Sequence, residues 1–87
     1  MDFEQFESIA VVCNTKQEYI NLVELLNKND NREYINKRRT ESLKSEQEFK
    51  SDICCSIYRG SLMSSEEAGI FGYIKISYND FYQILKN

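Results

Sequence analysis

The side chains in this chain that could carry chemistry are few in kind. Cysteine occurs at positions 13, 54 and 55, and histidine is absent. Without an imidazole, triads built on Ser-His-Asp or Cys-His lack their base. The common zinc motifs that use histidine lack a ligand. Cys13 lies where a strand would meet a helix N-terminus, a setting that can activate a thiol. With no base to serve it, Cys13 reads as a buried core cysteine. Cys54 and Cys55 are adjacent, so on a strand they point to opposite faces and cannot share one core disulfide. An odd cysteine count without a CxxC spacing reads as a reduced protein with no metal site. The sequence therefore assigns no catalytic residue, no metal ligand and no cofactor.

Binding is the chemistry that remains. Lys37, Arg38 and Arg39 form the one basic block, with Arg32, Lys44 and Lys50 around it and Glu33, Glu41, Glu46 and Glu48 interspersed. Such a mixture is ordinarily a solvated face. Tyr34, Tyr58 and Arg59 are the groups that would turn it into a site, because adenine rings stack on tyrosine and phosphates pair with arginine. The candidate ligand- or partner-binding residues are thus Tyr34, Lys37, Arg38, Arg39, Tyr58 and Arg59. The turn Asn14-Thr15-Lys16 could offer backbone N–H groups to an anion, but no glycine-rich loop accompanies it. Glu66, Glu67, Asp52 and Asp80 are too dispersed to mimic a nucleic acid.

The elements that must position these residues follow from the hydrophobic pattern. Residues 8–13, SIAVVC, form an apolar β-branched run that predicts a buried strand. Thr15 and Glu18 make a capping box, T-x-x-E, and Tyr19, Leu22, Val23 and Leu26 then recur at helical spacing. Asn29-Asp30-Asn31 ends that helix. Residues 32–36 predict a short edge strand, and the polar stretch 37–50 fits either a solvated helix or a loop. Residues 53–59 and the alternating run 70–78 predict two further strands, with Leu62 and Met63 between glycines 60 and 69. Ser77 or Asn79 would cap a last helix with Phe81, Ile84 and Leu85 toward the core. The expected fold is one α+β domain over residues 1–87, β-α-β-β-β-α. Its sheet is small and mainly antiparallel, with the first helix packed on one face.

Eighty-seven residues make one domain with a modest core, so dimerisation would help it and a homo-oligomer is expected. The net charge of −3 argues against nonspecific binding to nucleic acid or an anionic membrane. No apolar run approaches the ~20 residues of a membrane span. The first eight residues, MDFEQFES, are acidic, unlike a signal peptide. The expected setting is the cytoplasm. The six tyrosines suit a partner-binding surface. No proline and frequent Asn, Lys, Ile and Tyr suggest an AT-rich coding source, a low-GC bacterium or its phage.

Three segments, IAVVCNTKQEYINLVELL, CCSIYRG and GYIKISYNDF, together resemble small phage and prophage proteins of low-GC bacteria. In these a strand ending Cys-x-Thr leads into a helix, a tyrosine-bearing strand follows, and the chain closes on a Gly-Tyr strand and an Asp-Phe. This chain departs from them in having Val12 before Cys13 and no tryptophan, so no ligand role is carried over. The resemblance implies an anti-defence protein of phage type, acting stoichiometrically in the cytosol of a bacterial host. Its partner would be a bacterial defence protein, such as a CRISPR-Cas nuclease that it blocks. The alternatives are a nucleotide immune signal that it sequesters, or an unrelated target of a plain interaction module.

Overall fold

The computed structural model describes residues 3–45 and 53–86. The chain begins with a single 3-10 turn, Glu4–Phe6, and then enters β1, Ile9–Cys13. Helix α1, Lys16–Asn29, starts as the sequence predicts: Thr15 Oγ1 accepts the Glu18 N–H at 3.1 Å, and the Glu18 carboxylate accepts the Asn14 N–H at 2.8 Å. Helix α2, Glu33–Ser45, follows, then β2, Ile53–Ser56, and β3, Leu62–Ser64. Helix α3, Ser65–Ile70, strand β4, Ile74–Ser77, and helix α4, Tyr78–Lys86, complete the order. Ser77 caps α4, its Oγ accepting the Asp80 N–H at 3.1 Å.

The strands form one sheet in the order β3-β2-β1-β4. β1 runs antiparallel to β2, β2 antiparallel to β3, and β1 parallel to β4. The fold is therefore α+β, with a mixed sheet of two antiparallel ladders and one parallel ladder. Val11, Cys13 and Cys55 face a large core completed by Tyr19, Leu22, Val23 and Leu26 of α1 and Phe81 of α4. Phe3 and Phe6 close it, the Phe6 ring meeting Phe81 edge-on at 5.4 Å. The opposite face carries Ala10 and Cys54 under Ala68 of α3, with Val12, Met63 and Tyr73 around them. Cys54 and Cys55 thus point to opposite faces, as strand neighbours must. Covering both faces of β2 is what makes its four residues wholly buried.

The element order departs from the expected β-α-β-β-β-α: the strand expected over 53–59 stops at Ser56, Leu62–Ser64 form a strand of their own, and two longer segments change type. Residues 32–36 are not an edge strand: Arg32 precedes α2 and residues 33–36 begin it, and the same helix settles the open choice for 37–45; residues 46–50 lie outside the described residues. The inward stripe of α2 is Ile35, Arg39 and Leu43, four residues apart, and the central position is an arginine with no exposed surface. A charged residue at the core position erases the hydrophobic period on which the reading depends. The run 70–78 is likewise not one strand. Ser64 and Glu67 form a capping box that starts α3. Gly72, with φ +80°, ends it in a Schellman turn: Gly72 N–H donates to the Gly69 carbonyl at 3.1 Å and Tyr73 N–H to the Ala68 carbonyl at 2.9 Å. Only Ile74–Ser77 remain as strand. In α4, Phe81 is buried and Leu85 packs against the core, but Ile84 is 51% exposed and does not face it.

The buried centre of helix α2 is an ion cluster. Asp30 is 3% exposed, and its carboxylate binds Arg32 Nη2 at 2.8 Å and Arg39 Nη2 at 2.9 Å. The two guanidiniums also donate to consecutive carbonyls beyond β2, Arg39 to Ile57 at 2.8 Å and Arg32 to Tyr58 at 2.7 Å. Asn36 donates to the Asp30 carbonyl at 2.7 Å and accepts from Arg39 Nη1 at 2.9 Å. Gly60, at φ +68°, is pressed beneath: a Cβ there would stand 3.2 Å from Ile35 Cγ2 and 3.4 Å from Arg39 Cγ.

Burial alone would raise the Asp30 carboxyl, but the Arg32 hydrogen bonds and the Arg39 charge outweigh it and hold the group below its ordinary range. A carboxyl with a lowered native pKa stabilises the fold at pH values above its unfolded pKa of about 4, and that stability is lost as pH falls through the native value. Acid unfolding followed by circular dichroism should therefore show stability falling below about pH 5, and Asp30→Asn should lose that part of the dependence. Removing one partner of a buried pair costs about 3–5 kcal/mol, a large share of the roughly 5–15 kcal/mol of a small domain. Urea unfolding of Arg39→Ala should show that loss, whereas Arg38→Ala on the exposed face should stay within about 0.5 kcal/mol of the parent.

Candidate functional site

The six residues singled out from the sequence fall in three places. Tyr34, 74% exposed, lies with Lys37 and Arg38 along the outer face of α2, where they line a hollow of about 230 Å³ together with Glu41. Arg39, the next residue, points the other way into the ion cluster and has no surface to offer a ligand. The basic block is therefore two exposed cations and one structural one. Tyr58 is half-buried, with the Arg32 guanidinium 4.9 Å above its ring, so its aromatic face is occupied by the fold's own arginine. Arg59 is exposed and belongs to a different concavity.

That concavity is a groove of about 520 Å³ at the end of the sheet where β1 and β4 begin and β2 turns into β3. Arg59, Leu62 and Met63 come to it from the β2–β3 connection, Glu7 and Ser8 from the segment before β1, and Glu67, Phe71 and Tyr73 from α3 and its exit. Local structure fixes these positions. Gly60 N–H returns to the Ser56 carbonyl at 2.8 Å, closing the turn that carries Arg59. The buried Ser56 Oγ lies 3.4 Å from both the Arg59 N–H and the Tyr73 hydroxyl, linking the turn to the residue that enters β4. The capping box orients Glu67, whose carboxylate accepts the Ser64 N–H at 3.1 Å. The Schellman turn leaves Phe71 67% exposed beside the groove, and Ile70 next to it is 73% exposed.

The arrangement suits binding of a side chain or peptide surface. It offers apolar contact at Leu62, Met63 and Phe71, two carboxylates at Glu7 and Glu67, and one guanidinium at Arg59. Of the groove's residues the sequence reading singled out Arg59 alone. Phe71 and Tyr73 escape it because the alternation of 70–78 reads as a strand, and Glu67 enters it only among dispersed acids. The S-x-x-E spacing of Ser64 and Glu67, with Gly72 five residues on, was the signal for a short capped helix there.

The thiols are placed for packing. Cys13, Cys54 and Cys55 are reduced and buried. Burial drives the Cys13 thiol far above its ordinary pKa and raises Cys55 to about 11, with Arg39 moderating the latter. Among the described residues no group of three or more His, Cys, Asp or Glu could hold a metal ion, and no helix is long and apolar enough to cross a membrane. No family model, no curated protein and no solved structure matches the chain. An aromatic disulfide reagent at pH 8 should label none of the three thiols in the native protein and all three once urea has unfolded it. Native labelling of Cys13 would contradict its place in the core.

Proposed function

We propose that this chain acts by stoichiometric binding, as a phage-type inhibitor that blocks a protein effector of bacterial immunity. The observation that carries the binding reading is the exposed pair Ile70 and Phe71 beside the groove of Arg59, Glu7 and Glu67. Exposed large apolar residues rimmed by charge are the composition of a protein-docking surface. An aromatic such as Phe71 fits the role of central anchor, with the charged rim setting orientation. The immune context rests on the resemblance of the three sequence segments.

A nucleotide sponge would need cations converging without opposing carboxylates. Arg59 stands with Glu7 and Glu67, Arg38 and Lys37 stand with Glu41, and Arg39 is inside. Two carboxylates lining the same groove as its one guanidinium disfavour a phosphate group. The partner segment that fits the groove presents an apolar side chain next to a lysine or arginine.

The test is native mass spectrometry with purified effectors, paired with phage plating on cells carrying each defence system. A one-to-one complex, and restored plating when the chain is expressed, are the expected results. Phe71→Ser should weaken the complex by about 30-fold or more, the loss typical of a hot-spot residue. Arg38→Ala should leave it unchanged. A bound nucleotide in place of a protein would overturn the blocking reading.

A further inference from the structure

Six large apolar or aromatic side chains are exposed among the described residues, and five of them, Ile70, Phe71, Ile74, Tyr82 and Ile84, fall between positions 70 and 84. Ile70 and Phe71 adjoin the groove. Ile74, 59% exposed, lies on β4, and Tyr82 and Ile84 lie on α4, the helix that follows it.

β4 ends the sheet, and among the described residues nothing pairs with its outer edge. Ile74 N–H donates to the Ser8 carbonyl at 2.7 Å, toward β1. Strand alternation therefore turns the N–H and carbonyl of Lys75 outward. An open edge of this kind is a template for another strand, and proteins commonly guard it with a lysine. Lys75 does not stand guard here. Its ammonium is drawn back over α3, 3.2 Å from Ser65 Oγ and 3.5 Å from the Ser65 carbonyl.

We propose that β4 is the seam of a homodimer, in which two copies align this strand antiparallel about a two-fold axis beside Lys75. The second copy is the occupant that the strand itself selects. Ile74-Lys75-Ile76 reads the same in both directions. Antiparallel pairing centred on Lys75 thus exchanges its outward N–H and carbonyl with the same groups of the other copy. It also sets Ile74 of each chain opposite Ile76 of the other. Apolar cross-strand pairs stabilise such a ladder, and directly opposed like charges weaken it. The two ammonium groups avoid that opposition because each is held at Ser65 of its own α3. The result is one continuous sheet of eight strands, four from each copy. The added burial suits a domain of this size.

Sedimentation velocity over a range of concentration, with amide exchange at Lys75, tests the seam. The full chain should approach twice its monomer mass as concentration rises, and the Lys75 amide should exchange more slowly in step. Ile74→Lys, at a position largely outside the core, should keep the native circular dichroism and weaken dimerisation more than tenfold. Lys75→Pro removes the outward N–H and should do the same; if it fails to fold, Ile74→Lys decides. Phe71→Ser should leave the dimer intact, which separates this seam from the groove. A chain that stays monomeric throughout, a dimer as tight in Ile74→Lys as in the parent, or Lys75 exchange independent of concentration would each overturn the proposal.

Discussion

The Asp30 carboxylate, gripped by Arg32 and Arg39, is the interaction on which the rest of the molecule leans. It sits where α1 ends and before α2 begins, so one buried acid fixes the corner between the two helices. Through the guanidiniums it also reaches the carbonyls of Ile57 and Tyr58, which leave β2 for the turn that bears Arg59. Those carbonyls lie beyond the strand that β1 and β3 flank, and a buried carbonyl without a donor is unfavourable. The arginines therefore stabilise the backbone of the hairpin as well as the carboxylate. Burial lowers the Arg39 pKa while Asp30 opposes the shift, and Arg32 keeps a third of its side chain in water. The surplus positive charge of two arginines against one acid is thereby partly solvated.

A charged centre of this kind makes geometry more exacting than an apolar one. Hydrophobic side chains of similar volume can stabilise a site as well as a buried ion cluster does. They accept many arrangements, whereas a forked guanidinium bonding a carboxylate and a carbonyl together accepts few. The aromatic rings around the cluster reinforce the choice. Arg32 lies 5.4 Å from the Phe3 ring and 4.9 Å from Tyr58, and Arg39 lies 5.9 Å from Phe3. Phe3 thus joins the ion cluster to the main core through Phe6 and Phe81. One chain of contacts runs from the α1–α2 corner to the last helix.

The surface divides by the same logic. With the cations of 32 and 39 taken inward, the outer face of α2 keeps Lys37 and Arg38 as an ordinary solvated face. The apolar residues left outside collect on the opposite part of the chain, around α3, β4 and α4. Small helices such as α3 have little area with which to cover a sheet. Once its capping box and Schellman turn have fixed its ends, Ile70 and Phe71 stand beyond the layer it protects. Exposed apolar surface and core are thus two outcomes of one constraint, the short reach of the elements after β3.

Much of this was legible in the residues. The first strand, its capping box and the first helix follow from local pattern, because each depends on neighbours within four positions. The opposite facing of Cys54 and Cys55 follows from strand geometry alone. The cap at Ser77 and the burial of Phe81 are equally local. The candidate site was legible only at Arg59. Whether an arginine is surface or core depends on a carboxylate nine residues earlier and a carbonyl eighteen residues later, and no local pattern encodes that meeting. Whether 70–78 is one strand or a helix end followed by a shorter strand depends on a turn whose hydrogen bonds close only when Gly72 takes a positive φ. The sequence by itself determined the α+β class, the buried thiols and the starts of α1 and α4, all set by periodicity and capping. The tertiary structure alone decided that Arg39 belongs to the core, that Arg59 shares a groove with Phe71, and that among the described residues β4 has an open edge, because each of these arises from segments far apart in the chain.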